Sequence, residues 1–306
     1  MIAAGTRPPA VLVVNPFAGR LSHASREEVV TALAERFRLE VFTTTGRDTG
    51  IDLAHEAATN GVGLVIAFGG DGHVNEVVNG LAGTATALGI IPGGTMNVFA
   101  RALGIPRDPM EAIEHLAAVA GAAPRRVHLG RVDGRYFTFS AGCGFDAEAA
   151  ELVERDIPNK RRFGEVFFYW SAFRVLAGTH RHRNPTMTLK GAFGEVRVSM
   201  AIACNTGPYA YLAGRSVRIA PEVRLEGGLD VFALKRMRIE ALPGYAWGSV
   251  VRGDVTKHRD AFYVRDLDSF SVSADEPFHR HVDGEPLEPA SSCVFELAEN
   301  ILKVKA

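Results

Sequence analysis

Short apolar runs alternate with helical patterns over residues 10–121. The third run, 64–68, is apolar throughout, as expected for a parallel strand that is covered on both faces. Ser25 with Glu28 fits a capping box at the start of the first helix. The predicted strands are 10–14, 39–43, 64–68 and 87–91, and the predicted helices are 25–37, 51–60, 75–81, 97–103 and one capped by Asp108. This alternation predicts a doubly wound α/β domain.

The pattern changes after residue 124. Asp133-Gly134 lies between two apolar runs and is a strong signal for a hairpin turn. Most later apolar runs are joined by Gly, Pro or Asp turns, although residues 147–155 and 165–176 have a helical pattern. The later predicted strands are 186–190, 196–204, 229–234, 262–265, 270–274, 279–282 and 293–297. The second half is therefore expected to form an antiparallel β-sandwich or barrel-like domain.

Length, charge and cysteine content limit the kinds of protein to which the chain can belong. The 306 residues exceed what one hydrophobic core usually serves, which agrees with two domains. Because 34 basic residues oppose 35 acidic ones, no nucleic-acid partner is expected. The three cysteines are odd in number and form no CxxC, which argues against a disulfide scaffold and a zinc site. Neither a signal peptide nor a run near the ~20 apolar residues of a membrane span is present, so we expect a cytoplasmic protein.

Three glycine-containing loops follow predicted strands of the first half, at 15–19, 69–72 and 92–95. In an open α/β sheet, ligands bind beyond the carboxyl ends of the strands. Glycine lets backbone N–H groups approach an anion, and a helix start favours negative charge. Asp71 suits such a site if it acts through Mg²⁺, which takes oxygen ligands. One such loop alone is more often a structural turn, but three at one edge predict a phosphate-binding site.

Two common nucleotide motifs give little support to other families. No GxxxxGK[ST] loop occurs, which excludes a P-loop enzyme. Residues 142–147 match the G-x-G-x-x-A form, but they begin the strand-rich half and no βαβ unit precedes them. We therefore do not assign a dinucleotide site there.

Four segments resemble the signatures of the diacylglycerol kinase catalytic-domain family, which includes bacterial diacylglycerol kinases and sphingosine kinase-like lipid kinases. They are Val14-Asn15-Pro16 with Gly19, residues 69–81 (GGDGHVNEVVNGL), residues 90–104 (IIPGGTMNVFARALG) and residues 282–285 (VDGE). The four segments occur in the order and at the spacing of the family, and the resemblance covers the chain from about residue 10 to 300.

The resemblance implies an ATP-dependent lipid kinase with ATP and Mg²⁺ as cofactors. Diacylglycerol, which would give phosphatidic acid, is the first candidate acceptor. Sphingoid bases, ceramide and other lipid alcohols remain open, as do an NAD kinase-like enzyme and a non-catalytic lipid or nucleotide sensor. The implied organisation is an α/β ATP-binding domain over 1–124 and a β-sandwich domain over 125–289, with residues from about 290 to 306 packing back onto the first. A homodimer is left open.

The resemblance also implies roles for individual residues. Glu285 would be the general base, Asp283 would belong to the same network, and Asp71 would act through Mg²⁺. The residues expected to bind or support the nucleotide are Asn15, Pro16, Phe17, Ala18, Gly19, Thr44, Gly69, Gly70, Asp71, Gly72, His73, Val74, Asn75, Glu76, Gly94, Thr95 and Asn97.

The chain departs from the family pattern at several positions. His73 stands where the family usually has Thr or Leu, and Phe17 replaces a more polar residue. Bacterial relatives often hold a structural Mg²⁺ in a loop with two adjacent Asp residues. Here the corresponding loop, 225–230, has lost one acid, and Asp230 is the remaining candidate ligand.

A basic start precedes an aromatic-rich helical pattern at residues 160–174. Cations near anionic headgroups and aromatic side chains at the interface are typical of a membrane-surface segment. A buried helix with a solvated basic start is an equally good interpretation. With a lipid substrate at the membrane surface, the protein is expected to associate with membranes peripherally.

Overall fold

The computed structural model describes residues 7–16, 23–145, 147–148, 186–212, 215–236, 241–253 and 255–306. Phe17, Ala18, Gly19 and the predicted membrane segment 160–174 lie outside these residues. The chain divides into two compact units. The N-terminal unit comprises Met1–Val127 with Asn300–Ala306, and the C-terminal unit comprises His128–Glu299.

Four parallel strands form the centre of the N-terminal unit, in the order β4-β3-β1-β2. Helix α2 packs on α3 and α1 packs on α5, and both β3 and β4 are buried along their whole length. At the chain end, Lys303 and Val304 pair in parallel with β4. The elements are β1 Pro9–Val14, α1 His23–Arg36, β2 Arg38–Thr43, α2 Thr49–Thr59, β3 Leu64–Gly69, α3 Asp71–Leu81, β4 Ala87–Pro92, α4 Val98–Ala102 and α5 Pro109–Val119.

Helices α1, α2 and α3 begin earlier than the sequence patterns predict, whereas the predicted cap of α5 is found. Helix α1 begins at His23, so Ser25 lies inside its first turn and not at the position before it. Helix α3 begins at Asp71 rather than at residue 75. The cap on α5 is confirmed, because the Asp108 carboxylate accepts hydrogen bonds from the N–H groups of Met110 and Glu111 at 2.9 and 3.1 Å.

Antiparallel strands dominate the C-terminal unit, in the order β14-β13-β10-β7-β15-β16, with β8 on β15 and β9 on β8. The strands are β5 Arg125–Val132, β6 Arg135–Phe137, β7 Ser140–Gly144, β8 Met187–Gly191, β9 Gly194–Val198, β10 Met200–Cys204, β11 Ala210–Leu212, β12 Arg215–Val217, β13 Leu229–Leu234, β14 Ala261–Leu267, β15 Ser269–Val282 and β16 Glu285–Val304. Strand β5 begins, and strand β16 ends, in the N-terminal unit.

Alternating side chains of the central strands supply two separate apolar layers. Along β10, Ala201 and Ala203 belong to one buried cluster, whereas Met200, Ile202 and Cys204 belong to another. This period of two follows from the pleat of a strand, which points successive side chains to opposite faces. Both faces of β10 are therefore buried.

Three details of the C-terminal unit differ from what the sequence patterns predict. The predicted strand 196–204 is interrupted at Ser199, which separates β9 from β10, and the predicted strands 270–274 and 279–282 are one irregular strand, β15. A helix that was not predicted, α6 Leu242–Trp247, continues into a π-helical turn, Gly248–Arg252. No helix in the described part of the chain is long and apolar enough to cross a bilayer.

Two of the three Asp-Gly pairs of the sequence, Asp133-Gly134 and Asp283-Gly284, form tight hairpin turns. Asp133 and Gly134 have φ values of 46° and 89°, and Asp283 and Gly284 have 47° and 83°. Positive φ at both central residues is the mark of a type I′ turn, whose twist matches the flanking strands. The hairpin predicted at Asp133-Gly134 is confirmed, and the second turn places Glu285 directly opposite Val282.

Candidate active site

The loops that follow β3 and β4 lie in direct contact at the carboxyl edge of the parallel sheet. Gly93 donates a backbone hydrogen bond to the Gly69 carbonyl at 2.8 Å. A Cβ atom on Gly94 would come within 2.6 Å of the Gly70 Cα atom, so this approach has no room for a side chain. The loop after β1 begins beside them, because Asn15 N–H donates to the Phe68 carbonyl at 3.1 Å.

The start of helix α3 lies between these loops. Gly70 is the N-cap residue and provides no side-chain cap, and the first intrahelical bond joins Val74 N–H to the Gly70 carbonyl at 3.0 Å. The N–H groups of a first helical turn have no intrahelical acceptor, and the helix dipole favours an anion beside them. Some of the backbone N–H groups that were expected to bind phosphate in the 69–72 loop therefore belong to the first turn of α3. A helix N-terminus of this kind is suited to binding phosphate.

Asp71 is the first residue of α3, and its carboxylate ties that helix to the next one. Its Oδ1 atom accepts a hydrogen bond from Val98 N–H, the first residue of α4, at 2.6 Å. No group of three His, Cys, Asp or Glu side chains that could hold a metal occurs among the described residues. A single carboxylate fits Mg²⁺, because Mg²⁺ commonly takes one or two protein carboxylates and completes its shell with water and phosphate oxygens.

Asn97 fixes the shape of the loop after β4. It adopts the left-handed conformation, with φ 48°, which asparagine tolerates better than most residues. Its Oδ1 atom accepts from Gly94 N–H at 3.0 Å, and its Nδ2 atom donates to the Gly94 carbonyl at 2.9 Å. This pair of bonds supports the predicted auxiliary role of Asn97.

An open pocket of about 360 Å³ adjoins this loop. Its volume is in the range of small-molecule sites. The lining residues are Pro92, Gly93, Gly94, Asn97, Arg107, Asp108 and Pro109. The sequence patterns did not point to Arg107, because a single arginine before a helix cap is an ordinary surface residue.

Glu76 supports the loop that follows β2. Its carboxylate accepts hydrogen bonds from the N–H groups of Asp48 and Gly50, both at 2.9 Å. Asp48, the N-cap residue of α2, makes no side-chain cap, so Glu76 on α3 caps α2 instead. Thr44, at the start of the same loop, donates its N–H to the Val14 carbonyl at 2.9 Å. Glu76 therefore links the loop after β2 to the helix that begins at Asp71.

The side chains of His73, Val74 and Asn75 are buried, so phosphate contacts at these positions would involve backbone groups. The His73 Nε2–H group donates to the Val13 carbonyl at 2.9 Å, which fastens α3 to β1. Burial lowers the pKa of His73, although this hydrogen bond acts in the opposite direction. Asn79 donates to the carbonyl and the side-chain oxygen of Asn75 at 2.9 and 3.1 Å.

In the C-terminal unit, the carboxylate of Asp283 is enclosed by donors from one short segment, Thr138–Ser140. Thr138 donates to Oδ2 through its N–H at 2.7 Å and its hydroxyl at 2.8 Å, and the N–H groups of Phe139 and Ser140 donate to Oδ1 at 2.9 and 3.1 Å. Asp283 N–H donates to the Ser140 carbonyl at 2.7 Å. Burial raises the pKa of Asp283, and the four donated bonds oppose that shift because they favour the charged form.

Asn205 holds the same segment from another direction. Its side-chain amide donates to the carbonyls of His128 and Thr138 at 3.2 and 2.9 Å, and its N–H donates to the Phe139 carbonyl at 2.9 Å. Neither Asn205 nor residues 138–140 stand out in the sequence as candidates for the site. The one sequence feature that could have indicated this segment is weak. It is the pair of hydroxyl side chains, Thr138 and Ser140, in a run that otherwise has the pattern of an ordinary strand.

Glu285 begins β16, two residues after Asp283, and its environment is different. Asp283 is 5% exposed, whereas Glu285 is half-buried and pairs with Val282 across the turn. A carboxylate that takes a proton from a substrate must be reachable by that substrate. Of the two carboxylates on this turn, Glu285 is the one that meets this condition.

Comparison with known proteins identifies the family. The model of the diacylglycerol kinase catalytic domain matches residues 9–132. The diacylglycerol kinase of Bacillus subtilis (strain 168) is 30% identical over 283 residues, which cover 90% of this chain and 88% of that protein. The chain belongs to the diacylglycerol kinase family. The predicted family and the predicted activity, that of an ATP-dependent lipid kinase, are therefore confirmed.

Further relatives of the diacylglycerol kinase family agree in sequence and in fold. The diacylglycerol kinase of Staphylococcus saprophyticus is 28% identical over 286 residues, 91% of this chain and 89% of that one. A crystal structure of a diacylglycerol kinase from Bacillus anthracis str. Sterne superposes with a TM-score of 0.76 and 28% identity, covering 97% of this chain and 96% of the other. The mixed α/β, sheet-rich fold is thus that of diacylglycerol kinase structures.

Asp230 does not fit the structural Mg²⁺ site expected from other diacylglycerol kinases. Its Oδ2 atom accepts from the Tyr263 hydroxyl, and its Oδ1 atom accepts from Asp266 N–H at 3.1 Å. Burial raises the pKa of both Asp230 and Tyr263. Asp266 in turn accepts from Gly228 N–H at 2.7 Å, which closes the 225–230 loop with protein groups. Each oxygen of the Asp230 carboxylate thus accepts a hydrogen bond from a protein donor.

Asp283→Asn is expected to lower the free energy of unfolding by about 2–4 kcal/mol. The substitution replaces one carboxylate oxygen by an NH₂ group, so the buried N–H and hydroxyl donors that faced this oxygen lose their acceptor and face another donor. Asn tolerates the positive φ of the turn, so backbone strain stays small. The measurement is equilibrium denaturation in guanidinium chloride. Asp133→Asn, at the exposed Asp-Gly turn of the same type, is the control: it removes the charge that pairs with Arg280 but no enclosed acceptor, and it should change stability less. Equal effects at the two turns would contradict a special role for the Asp283 carboxylate.

Proposed function

We propose that this protein is a diacylglycerol kinase, which transfers the γ-phosphoryl group of ATP to the hydroxyl of diacylglycerol and forms phosphatidic acid. The observation that carries the proposal is the meeting of two glycine loops around the start of α3, in a chain whose relatives are diacylglycerol kinases over about nine tenths of their length. Phosphoryl transfer depends mainly on positioning and on charge neutralisation at the phosphates. The proposed role of the N-terminal unit is to supply both.

The nucleotide phosphates would be held by backbone N–H groups. Gly69, Gly70 and Gly72 let the chain approach closely, and the helix dipole of α3 adds a favourable potential. Other parts of the nucleotide would be lined by Asn15, Pro16, Thr44, Gly94 and Thr95. The contact between the Gly70 and Gly94 loops supports this arrangement, since it leaves two stretches of bare backbone side by side.

Asp71 would hold Mg²⁺, and the metal would neutralise charge on the phosphate oxygens. The carboxylate is positioned by its bond from Val98 N–H, so little reorganisation is needed when the metal binds. Glu76 and Asn97 would support the site indirectly, because each fixes a loop through a pair of backbone hydrogen bonds.

Glu285 would accept the proton of the lipid hydroxyl as that oxygen attacks the γ-phosphorus. Its half-buried position at the end of a rigid type I′ turn supports this role. Asp283 would act as a positioning residue, because the four hydrogen bonds that its carboxylate accepts come from the protein segment Thr138–Ser140 and hold the turn. The C-terminal unit would thus contribute the base and bind the lipid.

We expect the enzyme to work in the cytoplasm and to visit the membrane surface peripherally, where its acceptor resides. The test is a kinase assay with ATP and Mg²⁺ against separate acceptors, namely dioleoylglycerol, sphingosine, ceramide and NAD, with products identified by mass. Phosphatidic acid from dioleoylglycerol is the expected result. NADP as the product would assign an NAD kinase-like activity, and nucleotide binding without turnover on any acceptor would assign a sensor.

A further inference from the structure

Helix α6 and the π-helical turn after it form one helical segment, Leu242–Arg252, with a well-anchored inner face. Tyr245 is buried in an apolar cluster, and its ring packs edge-on against His258 with a centroid distance of 4.7 Å. One turn later, the buried Ser249 donates its hydroxyl to the Tyr245 carbonyl at 2.8 Å. A Cβ atom on Gly248 would come within 3.1 Å of the Val255 Cα atom, so the segment lies close against its neighbour.

The outer face of this segment carries apolar side chains in water. Trp247 is 59% exposed and Val251, four positions later, is 46% exposed. An α-helix turns about 100° per residue, so a residue two positions after an inward side chain points outward. Trp247 follows Tyr245 in this way, and Val251 follows Ser249. Their exposure is therefore imposed by the buried face and is not a consequence of loose packing.

Basic residues adjoin this apolar face. Arg252 is exposed and follows Val251 directly. Arg218 is also exposed, and its N–H donates to the Ser249 carbonyl at 2.9 Å, which places its backbone against the helical segment. In sequence, residues 241–260 contain three basic residues and two acidic ones, and one of these acids, Asp260, lies 3.8 Å from Arg259. The segment thus combines exposed apolar side chains with two exposed arginines, Arg218 and Arg252, beside them.

We propose that Trp247 and Val251 insert into the surface of an anionic lipid bilayer, while Arg218 and Arg252 contact its headgroups. Tryptophan is favoured at the membrane–water interface, and basic side chains are attracted to the negative surface potential of anionic leaflets. The proposal rests on the proposed function, because an enzyme whose acceptor is a membrane lipid has to reach that surface. It names a docking surface among the described residues of the C-terminal unit, separate in sequence from segment 160–174.

Vesicle co-sedimentation without ATP tests the docking surface. The vesicles are phosphatidylcholine mixed with phosphatidylglycerol, and phosphatidylcholine alone. Trp247→Ser should lower partitioning about tenfold, the factor expected for losing one large apolar group from the bilayer. Arg252→Gln should lower it about fivefold on the anionic vesicles and little on the neutral ones. Val294→Ser is the matched control, because Val294 is 47% exposed in the same unit.

Three results would overturn the proposal. The first is wild-type binding by the double variant Trp247→Ser/Val251→Ser. The second is loss of binding with Trp170→Ser alone, which would assign docking to segment 160–174. The third is a change of oligomeric state in the double variant on gel filtration, which would identify the face as a contact between copies of the chain.

Kinase assays separate this proposal from the proposed function. The double variant should keep its activity toward dispersed dioctanoylglycerol and lose about tenfold or more toward dioleoylglycerol in anionic vesicles. If the wild type binds vesicles through Trp247 but phosphorylates no lipid, the docking surface stands and the proposed function fails. If the wild type phosphorylates dioleoylglycerol and the double variant does so equally well, the docking surface fails and the function stands.

Discussion

Glu285→Gln is expected to lower kcat for lipid phosphorylation by about 10²–10⁴-fold, the usual contribution of a general base. Glutamine keeps the size and the polarity of the side chain but cannot accept the proton of the attacking hydroxyl. The KM for ATP should change little, because the proposed nucleotide contacts lie in the N-terminal unit. Thermal unfolding should also be unchanged, since Glu285 is half-buried and the turn is held by Asp283.

The pair of measurements distinguishes a base from a structural residue. Glu288→Gln, at an exposed position on the same strand, is the control and should leave kcat unchanged. A structural role would lower the melting temperature together with the activity. Near-normal turnover of Glu285→Gln would contradict the assignment, and the proton would then have to pass to another group.

Much of the N-terminal unit could be predicted because its signals are local. The strand 64–68 is apolar at every position, and its neighbours alternate with helical patterns of ordinary length. Parallel neighbours place their carboxyl ends at one edge, so the meeting of the glycine loops followed from strand order alone. The start of α3 was misplaced because Gly70 and Gly72 lower helix propensity, whereas the tertiary structure holds the turn between them.

The supporting contacts could not be predicted, because they join residues that are distant in sequence. The hydrogen bond from Ser140 N–H to Asp283 spans 143 positions, and no periodicity connects the two segments. In the sequence, Glu76 is one residue of the segment that resembles the family signature. That its carboxylate caps helix α2 depends on how α2 and α3 pack together, which the sequence pattern does not show. The sequence of the 225–230 loop predicted Asp230 as a metal ligand. Its hydrogen bond from the Tyr263 hydroxyl could not be predicted, because Tyr263 lies 33 positions away.

Asp71→Asn is expected to lower kcat by about 10²–10³-fold, the size of effect found when one preorganised electrostatic contact at a transition state is lost. The substitution is informative because the asparagine Oδ1 atom can still accept the hydrogen bond from Val98 N–H that Asp71 accepts at 2.6 Å. Only the negative charge is removed. The link between α3 and α4 should therefore persist, and the melting temperature should stay near that of the wild type.

A Mg²⁺ titration of the activity of two variants, Asp71→Asn and Asp71→Ala, tests whether Asp71 binds Mg²⁺. Asp71→Asn should need more Mg²⁺ for half-maximal activity, because the amide oxygen is a weaker ligand for a hard cation than a carboxylate. Asp71→Ala should lose activity and, since Val98 N–H then lacks its acceptor, some stability as well. Asp52→Asn, an exposed acid in the first turn of α2, is the control. An unchanged Mg²⁺ requirement in Asp71→Asn would mean that the carboxylate serves only the bond to Val98, and the metal would then have to be held by the nucleotide and water.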